Sequence, residues 1–184
     1  MKSEKQRIAV DMDEVMADAV AEHLLRYNRD HNTSLTKADL LGKRFWQVVP
    51  AHHHSILDAY LHAEDFFSDL DVMPDAPRVL AALQQHYEIF IASAAMEVPT
   101  SFNAKFQWLA RHFPFIPHTH IVFCGDKSIL RADFLIDDNP RQLALFSGTG
   151  ILYDAPHNIA ITNYTRVRSW QDIETLFLTR KSLQ

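Results

Sequence analysis

Six polar side chains stand where apolar runs of this sequence end, and their types suit one kind of chemistry. Ile8-Ala9-Val10 stops on Asp11-Met12-Asp13, two carboxylates spaced i, i+2, and Phe134-Leu135-Ile136 stops on Asp137-Asp138. Ile89-Phe90-Ile91-Ala92 runs into Ser93, and Ile121-Val122-Phe123-Cys124 is followed by Gly125-Asp126-Lys127. With the four aspartates at one edge, each charged pair about 5 Å apart repels by about 3 kcal/mol at an effective dielectric of ~20. Such a cluster needs a cation, protons or a reaction to serve. Attack on a phosphoryl group uses this inventory: Asp11 as nucleophile, Asp13 as acid or base, the Ser93 hydroxyl and the Lys127 cation on the phosphate oxygens, and Asp137 with Asp138 as further acid. Magnesium would relieve the repulsion among the aspartates and draw in a phosphate.

The elements that position these groups follow from hydrophobic period. Short β-branched runs read as buried strands, here residues 8–10, 88–93, 120–124, 134–136 and 151–153, and ligands bind at the carboxyl edge of an open parallel sheet. After Asp13 the period lengthens. Ala17, Val20, Ala21, Leu24 and Leu25 fall on one face of a helix, Thr36 caps a short helix that Gly42 stops, and residues 55–64 are helical. From Asp75, helix and strand alternate. One helix carries Val79, Leu80 and Leu83, and another has Phe102, Phe106, Leu109 and Phe113 on one stripe. A short helix follows Pro140, and a last one carries Trp170, Ile173, Leu176 and Phe177. This alternation predicts an α/β fold, a parallel sheet flanked by helices, with a helical insertion of roughly 55 residues after the first strand. No repeat and no glycine-rich phosphate loop of either common type is present.

Composition narrows the class. The 184 residues suit one domain, and 47% hydrophobic against 22% charged residues exclude a disordered chain. A net charge of −5 gives no basic field for polymeric nucleic acid, though a local cation or helix N-terminus can still hold a small phosphorylated ligand. The single cysteine, Cys124, forms no intrachain disulfide and reads as a small buried hydrophobe rather than a nucleophile. His52, His53 and His54 point in different directions from a helix start, so they read as a solvated surface rather than a metal cluster. A charged N-terminal stretch leading straight into the first strand, without an apolar signal core or a membrane-length apolar run, predicts a soluble cytoplasmic protein with no membrane partner.

The strand-end residues resemble the four motifs of the haloacid dehalogenase superfamily of aspartate-nucleophile phosphatases: Asp11-Met12-Asp13-Glu14-Val15, Ser93, Lys127 and Asp137-Asp138, in that order. Within it, Val15, Ala17 and Asp18 after the first motif, Phe45-Trp46 in the insertion, Gly125-Asp126-Lys127 and Leu135-Ile136-Asp137-Asp138-Asn139-Pro140 look like the 5′(3′)-deoxyribonucleotidases. The resemblance implies a Rossmann-like three-layer sandwich with strand order 5-4-1-2-3. Its core would be residues 1–15 and 74–184, and a helical cap residues 16–73. It implies magnesium-dependent hydrolysis of nucleoside monophosphates through an aspartyl-phosphate, by a monomer or homodimer. Asp11 would attack phosphorus, and Asp13 would protonate the leaving sugar oxygen and then activate water. Asp11, the backbone carbonyl of Asp13 and Asp138 would hold the metal, supported by Asp137. Ser93 and Lys127 would bind phosphate, and Phe45 and Trp46 would face base and sugar. The pattern also departs from the animal enzymes, which have glycine at Glu14, phenylalanine at Ala19, a Thr-Ser pair at Ser93-Ala94 and a basic residue at Gly125. These departures keep two other readings open: a phosphatase of the same superfamily for another small phosphomonoester, and a non-catalytic binding protein on the same fold.

Overall fold

The computed structural model describes residues 5–179, so residues 1–4 of the charged N-terminal stretch lie outside it. Six strands form one sheet: β1 Arg7–Val10, β2 Glu88–Ser93, β3 Ile121–Phe123, β4 Phe134–Asp137, β5 Thr149–Tyr153 and β6 Thr165–Val167. Every neighbouring pair is parallel, and the order is β3-β2-β1-β4-β5-β6. Read from the other edge, this is the expected 5-4-1-2-3 with a sixth strand outside β5. That strand has three residues, of which only Val167 is buried, so no apolar run marks it in the sequence.

Register explains why the polar ends coincide. Val10 pairs with both Ile91 and Ile136, and the Asp11 amide extends the ladder by donating to the Ile136 carbonyl at 2.9 Å. Asp11, Ser93 and Asp137 therefore leave the sheet at one edge. Along each strand the side chains alternate between faces. Ile8, Val10, Ile89, Ile91, Ile136 and Ile151 meet α3 (Ala76–Leu83), α4 (Phe102–His112) and α6 (Trp170–Glu174). Ala9, Ala92, Leu135 and Leu152 meet Leu143 of α5 (Pro140–Leu145) together with Phe146. The three layers are thus unequal, with three helices on one face and a short one on the other.

Between β1 and α3 the chain builds α1 (Ala19–His31) and α2 (His54–His62), joined by single 3₁₀ turns. The segment leaves and returns side by side: Met73 N donates to Met16 O at 2.8 Å, and Asp18 N to Asp71 O at 2.9 Å. Its own small cluster is Tyr27, Val49 and Leu57, with Leu35, Phe45 and Tyr60 against it. Among the described residues no helix is long and apolar enough to cross a membrane.

Two helical faces differ from the sequence-based expectation. In α1 the buried positions are Leu24 and Tyr27, while Leu25, one residue further round, is 63% exposed. In α4 the buried face is Lys105, Trp108 and Leu109, whereas Phe102 and Phe106 lie half-buried on its flank, packed on Phe123 and His118. Counting only apolar residues rotates the stripe away from the lysine that shares the true face. The turn after Thr36 is 3₁₀, Lys37–Leu40, and Gly42 stops it at φ +73°.

Trp170 ties the far end of the chain to the first strand's loop. Its buried indole Nε1 donates to the Val15 carbonyl at 2.8 Å. Trp170→Phe leaves that buried acceptor unpaired and should cost about 1 to 3 kcal/mol in urea unfolding; an unchanged midpoint would refute the role.

Candidate active site

Lys127 sits at the centre of the acidic edge. Its buried Nζ donates to Asp11 Oδ1 and to Asp137 Oδ2, each at 2.6 Å. Burial alone would lower the pKa of this ammonium, but the two carboxylates hold it above its ordinary value. Burial pushes the Asp11 carboxyl up to about 7 against the pull of Lys127, with Asp137 and Asp13 adding to the rise. Asp138 is also raised well above its ordinary value, by burial first and then by Asp137 and Asp11. One cation therefore does not balance this edge.

A second buried lysine lies beside it. Lys105 Nζ donates to Asp13 Oδ2 and, at 3.2 Å, to Ser93 Oγ, and lies 4.3 Å from the centre of the Phe67 ring. Asp13 Oδ1 is buried and has no hydrogen-bond partner among the described residues, so one oxygen is pinned and the other is free. Ser93 is fully buried at the end of β2, and its hydroxyl proton remains available for another acceptor. Lys105 carries no motif and is absent from the sequence-based set. Its signal was position: a lysine three and four residues before Trp108 and Leu109, on the apolar face of α4.

The oxygens of Asp11, Asp137 and Asp138 lie within 4.8 Å of one another, and among the described residues no other acid, histidine or cysteine group gathers so closely. The histidine run is a solvated surface only in part: His52 is exposed, but His53 and His54 are half-buried, and His53 is hydrogen-bonded to Tyr27 at 2.7 Å and stacked on His31. The two adjacent aspartates differ in their freedom. Asp137 is committed, with Oδ2 on Lys127 and Oδ1 accepting from the Asn139 amide at 2.8 Å. Among the described residues the Asp138 carboxylate is paired with the His157 ring alone, 3.5 Å away. Free oxygens on Asp11 and Asp138, hard donors and an excess of negative charge fit a divalent cation such as magnesium.

Glu14, where animal relatives carry glycine, has φ +61°. Its Oε1 accepts from Val20 N at 2.6 Å at the start of α1, a bond that offsets the cost of the left-handed backbone. Burial pushes its carboxyl up to about 7. Ala19 opens α1. Phe45 packs edge-on to His23 and Tyr27, while neighbouring Trp46 is 54% exposed and touches His54. Cys124 is buried, and burial pushes its thiol up, which disfavours the reactive thiolate.

Removing Lys127 leaves buried carboxylates unpaired. Lys127→Met should cost about 3 to 5 kcal/mol at pH 7 in the absence of divalent cations. Carboxyls raised in the folded state bind protons on folding, so part of that loss should return as pH falls from 7 toward 5. Thermal melts across this range check both; stability independent of the substitution would refute the pairing.

A model of the family described as "5' nucleotidase, deoxy (Pyrimidine), cytosolic type C protein" matches residues 5–183. A Staphylococcus aureus (strain Mu50) relative is 45% identical over 174 residues, covering 95% of this chain and 96% of its own. The 5′(3′)-deoxyribonucleotidase of Bacillus subtilis (strain 168) is 37% identical over 175 residues, covering 95% and 99%. Among solved structures, a haloacid dehalogenase-like hydrolase from Streptococcus pneumoniae superposes with a TM-score of 0.62 at 10% identity, covering 94% of this chain and 97% of the other. It shares the fold. With the family match running almost end to end, the chain belongs to the 5′(3′)-deoxyribonucleotidase family.

Proposed function

We propose that the chain is a phosphomonoesterase that dephosphorylates deoxynucleoside monophosphates through an aspartyl-phosphate on Asp11. The observation that carries this reading is the asymmetry of the two strand-end acids. Asp11 has one oxygen on Lys127 and the other open, and Asp13 has one oxygen on Lys105 and the other without a partner. A carboxylate held by one oxygen keeps its direction while the other oxygen reacts.

In this scheme the free oxygen of Asp11 attacks phosphorus in line with the leaving sugar oxygen. Lys127 and Ser93 face the phosphate oxygens, and Asp13 Oδ1 delivers a proton to the leaving group. Asp13 then takes a proton from the water that attacks phosphorus, which frees phosphate and restores Asp11. Lys105 is a positioning residue: it fixes the rotamer of Asp13 and joins it to Ser93. Asp11, Asp138 and the Asp13 carbonyl would hold magnesium, with Asp137 in support, and the ion would supply positive charge that offsets the negative charge of the phosphate.

Residues 16–73 form the cap in this reading, and Trp46 is its exposed stacking surface. A second reading, a phosphatase for another small phosphomonoester, draws on Phe45. That ring packs into the segment's own cluster, leaving one aromatic rather than two for a base.

Two measurements test this. Asp11→Asn is nearly isosteric and should fold normally, yet lose roughly a thousandfold or more of kcat on thymidine monophosphate; wild-type turnover would sink the nucleophile assignment. Stacking contributes roughly 1 to 3 kcal/mol per base. Trp46→Ala should therefore lower kcat/KM for nucleotides about ten- to a hundredfold and spare p-nitrophenyl phosphate. Equal losses on both substrates would favour the second reading.

A further inference from the structure

The sixth strand lies outside the reacting groups, yet its central residue reaches the acidic edge through two links. Arg166 donates through Nη1 to Asp154 and, at 2.9 Å, to Asn158 Oδ1. Through Nη2 it donates to the carbonyls of Asn158 at 2.9 Å and Ile161 at 2.6 Å. This guanidinium closes the turn after β5 into a rigid unit.

Asn158 is the second link. It is buried, and its amide nitrogen donates to the carbonyls of Asp138 and Tyr153, both at 2.8 Å. Its Oδ1 accepts from Arg166 and from Ala155 N at 3.3 Å. Two donors and two acceptors use the principal bonding capacity of a carboxamide, so the side chain has one orientation. The neighbouring His157 Nε2 lies 3.2 Å from the same Asp138 carbonyl.

Asp138 needs such support because of where it stands. β4 ends at Asp137, so Asp138 is one residue beyond the strand, and among the described residues its carboxylate is paired with the His157 ring alone, at 3.5 Å. The direction of its Cα–Cβ bond is then set by the peptide plane that Asn158 grips. A cation ligand placed by so few contacts depends on that grip.

We propose that Asn158, anchored by Arg166, is a positioning residue for Asp138 and sets the affinity of the cation site. The inference rests on the reading of Asp138 as a cation ligand. Residues that orient a metal ligand from behind typically change metal affinity by about ten- to a hundredfold when replaced.

The test is calorimetric titration of magnesium chloride into chelator-treated protein, with thermal melts as a check of folding. Asn158→Leu removes both donors at similar size and no added charge. Arg166→Lys keeps the charge beside Asp154 but loses the fork, and carries the test should Asn158→Leu not fold. Phe146→Leu, a core substitution beneath β4 and β5, controls for destabilisation alone. The folded Asn158→Leu or Arg166→Lys variant should bind magnesium about fivefold to a hundredfold more weakly. It should regain kcat as magnesium is raised, with substrate KM at saturating magnesium little changed, while Phe146→Leu keeps wild-type affinity. A loss smaller than that in the folded variants, with Asp138→Asn abolishing binding, overturns the inference and leaves the site reading intact. Wild-type magnesium binding in Asp138→Asn overturns both.

Discussion

Desolvation of carboxylates is the constraint on which the rest of this structure depends. Asp11, Asp137 and Asp138 are buried together at one sheet edge, where loss of water and the neighbouring carboxylates push the Asp11 and Asp138 carboxyls up. Lys127 answers two of them directly, and Lys105 takes Asp13. Both lysines are themselves buried, so each is tolerable only while its acids are charged. The arrangement stays short of positive charge around Asp138, and that shortage makes the edge a place for a divalent cation. Strand register, the Asp11 amide on the Ile136 carbonyl and the short turns after β3 and β4 can all be read as what brings these groups within reach.

The same logic explains why two lysines arrive by different routes. Lys127 follows β3 within the sheet's own loops, whereas Lys105 comes from a helix packed on the sheet's face. A buried lysine on the apolar side of a helix costs conformational and hydration free energy unless its head group finds an acid. Here it finds Asp13 and Ser93, joining the ends of β1 and β2. Glu14 shows a comparable exchange, in which a left-handed backbone is retained because the side chain caps the start of α1.

Much of the candidate site was legible because its acids stand where buried apolar runs stop, and such runs are visible without a structure. Asp11, Asp13, Ser93, Lys127, Asp137 and Asp138 were all found that way, and the structure gathers them at one edge. Lys105 was not found, because a single lysine inside a helix has no periodic signature and counting apolar residues alone hides it. β6 was missed for a related reason: three residues with one buried side chain make no pattern. Leu25 was misplaced because α1 packs through a narrow line, and a residue 100° round from Leu24 falls outside it. Phe45 and Trp46 read alike in sequence but differ in packing, since only tertiary contacts decide which of two adjacent aromatics turns inward.

The central claim is a covalent bond between phosphorus and Asp11. Rapid mixing of enzyme with thymidine monophosphate and magnesium, an acid quench within milliseconds and mass spectrometry of the peptides test it directly. The expected result is one phosphoryl group, labile to hydroxylamine, on the peptide that contains Asp11, appearing and decaying at rates that account for turnover. Full turnover with every peptide unmodified, in a quench shown to preserve an acyl phosphate, would contradict it.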